Sequence, residues 1–352
     1  MSSYRLLTYD FPPRVGGAAR YHGAVASVLG DACSVRVVPT QRHWLWELVP
    51  LLRSGRGMHV IVGEVLPLGT VAWLRAMLIG APYSVICHGL DIVNASRFRR
   101  KQWIARRVLR RAAGIIVNSK ATAALAARAG APQERITVAH PPLGTIADGA
   151  PLAKDAARAV LGVRDVPLVL SVCRLVERKG IDTLIDAMAR VRVAIPDVQV
   201  VVVGDGPQRQ RLTEYAKRIN VPLRIVTDAS DAQLAQWYAA ADVFVLLPRP
   251  VASGDMEGFG IVYLEAGAFG LPVVGTTCGG VPEAIAHQRT GLLVPPADAD
   301  AAAQAIITLL TDAALAQRLG RAGKERSRTQ HSMAAFADAI LRALNVCSEK
   351  LV

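Results

Sequence analysis

The chain has 352 residues, 52% of them hydrophobic, with 41 Lys and Arg against 28 Asp and Glu, a formal charge of +13. That length suits two ordinary domains, and no apolar run approaches the roughly 20 residues of a membrane span: LGTVAWLRAMLIGAPYSVI is broken by Arg75 and Pro82. MSSYRLLTYDFPPR lacks the basic, apolar and small-residue order of a signal peptide, and Cys33, Cys87, Cys173, Cys278 and Cys347 show neither zinc spacing nor a disulfide framework, which fits a reducing cytoplasm without export.

In chain order, short β-rich runs alternate with helix-length segments. The first series is RLLTYD, SVRVVP, MHVIVGE, YSVICHG, GIIVNS and ITVAHPP; the second is PLVLSVCRL, VQVVVVGDG, LRIVTD, VFVLLPR, PVVGTT and GLLVPP. Apolar strands separated by helices imply parallel sheets covered on both faces, the doubly wound α/β arrangement, here twice. The interruption HPPLGTIADGAPLAKDAARAVLGVRDVP places the domain boundary near 163, giving domains 1–163 and 164–330. The last helix, about 330–352, caps the second domain or packs back on the first.

Residues 1–150 carry +12 of the net charge, and the densest part is RFRRKQWIARRVLRR, residues 97–111, with eight basic side chains. Interleaved Trp103, Ile104, Val108 and Leu109 suit an anionic bilayer surface, with Arg among the headgroups and apolar side chains at the acyl boundary. The other reading is a surface helix whose apolar stripe packs on a sheet. No nucleic-acid motif accompanies the charge, so nucleic acid is not an expected partner.

Ligands of open parallel sheets collect at the carboxyl ends of strands, which singles out a few residues. Gly16 and Gly17 form a strand-to-helix turn where the backbone can approach an anion. His88 closes YSVICHG, ahead of Asp91, and can donate to a substrate oxygen or be a satisfied core residue. Arg174 and Lys179 in SVCRLVERKG suit a diphosphate, a fork beside a point charge. Gly204 and Gly206 in VVVVGDGP make a Gly-rich turn that fits neither the dinucleotide nor the P-loop pattern. In SGDMEGFGIVYLEAGAFGLPVV, the amides near Gly260, Ile261 and Val262 begin a helix and suit phosphate, while Glu257 and Glu265 flank them as hydroxyl acceptors. Asp298 and Asp300 have metal-pair spacing but stand at a helix start, where a cap is the simpler reading.

Together, DFPPRVGG, CHGLD, VNSKAT, SVCRLVERKGIDTLIDAM, VVVGDGPQ, AADVFVLLPR and EGFGIVYLEAGAFGLPVVGTTCGGVPEAI resemble the retaining glycosyltransferases of family 4, over nearly the whole chain. The resemblance implies the GT-B fold, two Rossmann-like domains facing across a cleft, with a nucleotide-sugar donor held by the second. It implies that Arg174 and Lys179 neutralise the diphosphate, Glu265 accepts from ribose, Glu257 contacts the sugar, and the backbone of Gly258, Phe259, Gly260, Ile261 and Val262 cradles phosphate and sugar. Gly16 and Gly17 would let the first domain close over the donor, and His88 would lie near the transferred sugar and acceptor. HPPLGTI lacks an aspartate common in the family, and VTDASDAQL lacks a glycine.

DFPPRVGG and GDMEGFGIVYLEA are most similar to the phosphatidylinositol mannosyltransferase branch. The expectation is therefore transfer of a hexose, GDP-mannose being the favoured donor, to a lipid-linked or glycan acceptor in glycolipid or polysaccharide biosynthesis. The enzyme would work at the cytoplasmic membrane face, with no cofactor and no obligatory metal. Alternatives are a UDP-glucose or UDP-N-acetylglucosamine transferase with a soluble acceptor, a nucleotide-sugar epimerase, and a non-enzymatic basic scaffold for membrane or nucleic acid.

Overall fold

The computed structural model describes residues 3–14, 16–147 and 152–349. It divides into two compact units, one of residues 1–142 with 333–352, the other Leu143–Ser332. Among the described residues, all twelve strands lie where the apolar runs place them, and each sheet is parallel.

The first unit runs β1 (Ser3–Thr8), α1 (Gly17–Leu29), β2 (Cys33–Val37), α2 (Leu48–Arg53), β3 (Met58–Val62), α3 (Leu68–Ile79), β4 (Tyr83–Cys87), α4 (Leu90–Ser96), α5 (Arg99–Arg111), β5 (Gly114–Val117), α6 (Lys120–Arg128) and β6 (Ile136–Val138). Its sheet order is β2-β1-β3-β4-β5-β6. Successive side chains of a strand point to opposite faces, so Leu7, Val60, Val62, Val85, Ile115 and Val117 pack under α3 and α5. Leu6, Ile61, Ile86 and Ile116 point the other way, onto α1 and a helix from the far end of the chain.

The second unit comprises α7 (Lys154–Leu161), β7 (Leu168–Val172), α8 (Ile181–Ala194), β8 (Gln199–Val203), α9 (Arg209–Arg218), β9 (Leu223–Val226), α10 (Asp231–Ala240), β10 (Val243–Val245), α11 (Ile261–Ala268), β11 (Val273–Thr276), α12 (Val281–Ala284), β12 (Gly291–Val294), α13 (Ala299–Thr311) and α14 (Ala313–Thr329). Its sheet order is β12-β11-β10-β7-β8-β9. The chain then returns to the first unit as α15 (Met333–Glu349), where Phe336, Ile340 and Leu344 cover the face that α1 leaves open.

The division falls between Pro142 and Leu143, earlier than the boundary near 163 read from the sequence. The reason is α7. Its buried Arg158 donates from Nε to the Ala240 carbonyl (3.0 Å) and from Nη2 to Asp242 (2.7 Å), which also accepts from the Leu168 amide. A guanidinium taken from water needs such partners, and they belong to α10 and its exit loop, so α7 is part of the second unit.

The basic segment is also corrected. In α5, Ala105, Val108 and Leu109 are buried, whereas Trp103 is 54% exposed with Arg107 over its ring. The stripe expected at an acyl boundary is thus mostly core. Asp298 caps α13 by accepting from the Ala301 amide, and Asp300 pairs with Arg190, so the Asp298/Asp300 spacing belongs to a helix start. Ser230 and Gln233 form a capping box on α10, which accounts for the Ser-Asp pair in VTDASDAQL.

Candidate active site

In each sheet the chain winds outward in both directions from one pair of strands, and the crevice at that pair's carboxyl ends is the natural ligand seat of an open α/β sheet. In the second unit the pair is β7 and β10. The loop after β7 makes a tight turn over Glu177–Lys179, which brings Arg178 and Lys179 toward the long loop after β10. That loop carries Glu257, whose Oε2 accepts from Arg178 Nη1 at 2.8 Å and from the Lys179 ammonium. Arg178 Nε meets Asp255 at 3.1 Å, and Arg249 braces the loop with two bonds to Asp182, at 2.8 and 2.7 Å.

Glu257 and Lys179 are buried. Burial alone would raise the Glu257 pKa, but the charges and hydrogen bonds of Lys179 and Arg178 outweigh it and bring the carboxyl down to about 2. A buried carboxylate shared by two cations is satisfied as a cluster, and removing the carboxylate takes the shared anion from both cations. Arg178, not Arg174, completes this cluster, and Arg174 stands exposed after β7. The sequence held the signal, since Arg178 directly precedes Lys179, but either residue can turn inward from such a loop.

Three residues beyond Glu257, Gly260 has φ 90° and starts α11 with no side-chain cap. A Cβ there would lie 2.6 Å from the Tyr263 ring, so the sharp turn into the helix requires glycine. The amides at Ile261 and Val262, both partly exposed, begin the helix beside the Glu257 cluster. Uncapped donors at the positive end of a helix form an anion seat. Phe259 is buried against His331, ring centroids 5.5 Å apart, and Gly258 lies between it and Glu257. Glu265, one turn on, is 0% exposed and accepts from the Tyr238 hydroxyl at 2.8 Å, so the expected open hydroxyl reader faces inward.

Gly204 and Gly206 have a structural reason. A Cβ on Gly204 would come 1.9 Å from the Cys173 carbonyl oxygen, and one on Gly206 2.5 Å from that of Leu175. They let the loops after β7 and β8 lie backbone to backbone at the strand ends.

In the first unit the pair is β1 and β3. Gly16 and Gly17 open α1 with no heavy atom within 4 Å of a built Cβ at either; Val15 lies outside the described residues. His88, after β4, has Asp91 bracing its turn by accepting from the His88 and Gly89 amides at 3.0 and 2.9 Å. Its Nε2 lies 3.0 Å from His22 Nε2, a partner that sequence reasoning missed. His22 sits in α1 and its Nδ1 is 2.7 Å from the Asp10 carbonyl oxygen. A carbonyl only accepts, so His22 Nδ1 carries the proton and its Nε2 offers a lone pair. His88 must therefore donate from Nε2, leaving its own Nδ1 as an acceptor. Burial lowers the pKa of both rings, His88 well below the usual value, with His22 adding to that shift. At neutral pH, nitrogen NMR is expected to find His22 protonated at Nδ1 alone and His88 at Nε2 alone; an imidazolium on either ring would contradict this arrangement.

Family models match both units: the description "Glycosyl transferase 4-like domain" covers residues 5–142 and "Glycosyl transferases group 1" covers 153–326. A GDP-mannose-dependent alpha-(1-6)-phosphatidylinositol monomannoside mannosyltransferase of Mycobacterium tuberculosis is 31% identical over 366 residues, covering 92% of this chain and 93% of the relative. The enzyme of the same name from Mycolicibacterium smegmatis is 32% identical over 355 residues, with 91% and 92% covered. Among solved structures, HepE of Anabaena in complex with UDP-glucose superposes with TM-score 0.82 at 21% identity, covering 97% of this chain and 99% of that one. Sucrose-phosphate synthase from Thermosynechococcus elongatus also gives 0.82, at 24% identity, with 99% and 100% covered. The structural likeness shows the GT-B fold, and the relatives at 31–32% identity over nine-tenths of the chain show the family. The chain is a glycosyltransferase and belongs to glycosyltransferase family 4.

Proposed function

We propose that the enzyme transfers mannose from GDP-mannose, with retention of configuration and no obligatory metal, to a lipid-linked acceptor at the cytoplasmic face of a membrane. The observation that carries this reading is the Glu257–Lys179–Arg178 cluster beside the uncapped start of α11. Breaking a sugar–diphosphate bond leaves negative charge on the departing phosphate, and fixed cations and helix-end amides stabilise that charge where it develops. Arg178 is engaged by Asp255 and Glu257, so it holds Glu257 toward the sugar, while Lys179 and the exposed Arg174 meet the diphosphate. The leaving phosphate takes the acceptor's proton on the same face, and Glu257 positions the sugar rather than attacking it. The names of the relatives support the GDP-mannose donor and a phosphoinositide-type acceptor. Family membership favours transfer over the epimerase and scaffold alternatives.

Thermal stabilisation by nucleoside diphosphates tests the donor, because a ligand that binds only the native state raises apparent stability by mass action. GDP is expected to raise Tm more than UDP or ADP at equal concentration, and GDP-mannose to turn over with acceptor. A larger shift with UDP would move the donor to UDP-glucose or UDP-N-acetylglucosamine.

The membrane part rests on the outer surface of the first unit. Trp103 and Phe98 are exposed at α5, Met77 and Leu78 at the end of α3, and Trp46 (76%) and Val49 at α2 and the turn before it. α3 packs against both α2 and α5, and in α5 Arg107 lies over the Trp103 ring and Lys101 over that of Phe98. Exposed aromatic side chains among arginines suit an anionic interface. Cosedimentation is expected with anionic vesicles, to weaken with added salt, and to fall in Trp103→Ala. Equal binding to neutral vesicles, or none to either kind, would remove the membrane assignment. Among the described residues no single helix is long and apolar enough to cross a membrane.

A further inference from the structure

The second unit holds a polar cavity that shares no wall residue with the Glu257 cluster. It measures about 390 Å³ and lies between α12 with its exit loop and the last turns of α14, walled by Arg289, Thr290, Glu325, Arg326 and Gln330 among others. Small residues let α14 press on α11 here. A Cβ on Gly320 would come 2.0 Å from the Gly270 carbonyl oxygen, and Ser327 donates to the Leu264 carbonyl at 3.1 Å. Arg326, next to Ser327, is thereby carried against α12.

The partners of Arg326 leave its charge unbalanced. Nη2 donates to the Glu283 carbonyl at 2.7 Å and Nε to Gln330 Oε1 at 3.1 Å, both uncharged acceptors, and the buried Nη1 has no hydrogen-bond partner. A guanidinium withdrawn from water ordinarily meets a carboxylate. Here its charged neighbour is another cation: burial, followed by the charge of Arg289, lowers the Arg326 pKa. Basic residues near a helix end often serve that helix's own carbonyls, but Arg326 bonds across to α12 instead. Arg289 is exposed, as is Glu325, the acidic side chain on the wall.

Paired guanidiniums suit a phosphate, whose oxygens accept from their forks. Gln330 spends its carbonyl on Arg326, which leaves its amide N–H groups to donate. The volume is that of a small-molecule site rather than of a single ion. We propose that Arg289 and Arg326 bind a phosphate group in this cavity, carried by a soluble monoester or by a lipid headgroup, at a site separate from the donor's. The proposal stands on the second unit alone and does not depend on the transfer reaction.

The probes are glycerol 1-phosphate, titrated against the full chain by calorimetry, and vesicles containing phosphatidic acid, both at constant ionic strength. Affinity for at least one probe is expected to fall about tenfold in Arg289→Ala, the value of about one charge-assisted hydrogen bond. It should hold in Arg328→Ala, which removes an equal charge from α14 outside the cavity, and in Lys179→Ala, which weakens the donor cluster. Arg289 is exposed, so Arg289→Ala should melt with the wild type, and a melting curve checks this. A loss confined to glycerol 1-phosphate names a soluble monoester as the ligand, and a loss of vesicle binding names a headgroup. Equal behaviour of the wild type and Arg289→Ala toward both probes overturns the proposal, whether or not they bind. An equal loss in Arg328→Ala does so too, since the attraction would then be general charge. Loss in Lys179→Ala with none in Arg289→Ala would move the phosphate to the donor cluster.

Discussion

Replacing Lys179 by alanine is expected to lower nucleotide-sugar turnover by about 10²–10³-fold, the usual cost of deleting one preorganised group aimed at developing charge, while the protein stays folded. The structure gives the reason for the second half. Arg178 remains on Glu257 Oε2 at 2.8 Å, so the buried carboxylate keeps a cation when the ammonium is gone. The stability loss should stay near 1–2 kcal/mol, within the common range for point mutants. Steady-state kinetics with a melting curve on the same sample checks both parts. Full turnover in Lys179→Ala would remove the catalytic assignment of the cluster, and a collapse of the fold would show that Lys179, rather than Arg178, carries the structural pairing.

Glu257→Ala is expected to do the reverse damage, striking stability as well as turnover. It leaves Arg178 and Lys179 close together without their shared anion. Breaking a buried pair in this way costs about 3–5 kcal/mol, which for a unit of this size lowers Tm by roughly 10 °C. Adding Lys179→Met to Glu257→Gln should recover part of the loss, because an apolar side chain leaves no stranded charge, and the two changes should be clearly non-additive. The pH dependence follows from the same carboxyl. Its pKa is depressed from 4.5 to about 2 in the folded protein, so its contribution, about 3 kcal/mol, is fully present above pH 4.5. It is lost as pH falls from there toward 2. Acid titration of the wild type should therefore steepen over that window, and Glu257→Gln should lack the added slope.

The fold was readable because its strands are short runs rich in Val and Ile between helical segments, a pattern that few arrangements other than parallel sheets satisfy. The domain boundary was not, because it depends on where Arg158 finds its acceptors, and those lie more than 80 residues further along the chain. In α5 the sequence shows an apolar stripe but not what covers it; only packing reveals that Val108 and Leu109 meet the sheet while Trp103 does not. Lys179 and Glu257 were visible as a cation and a carboxylate after neighbouring strands, and their direct contact was not. His22 carried no local signal at all. Its significance comes from the His88 ring it touches, which a one-dimensional pattern does not record.

The return of α15 to the first unit has a consequence for how the chain is made. The second unit is a single continuous stretch, so its core draws on no later segment of the chain. The first unit's core does, since Leu6, Ile61, Ile86 and Ile116 wait for Phe336 and Ile340. Through most of translation one apolar sheet face is only half covered, and strand-rich surfaces in that state are prone to association. The unit synthesised first is therefore the last to close, and a ribosome stalled before residue 333 would present that open face to the cell.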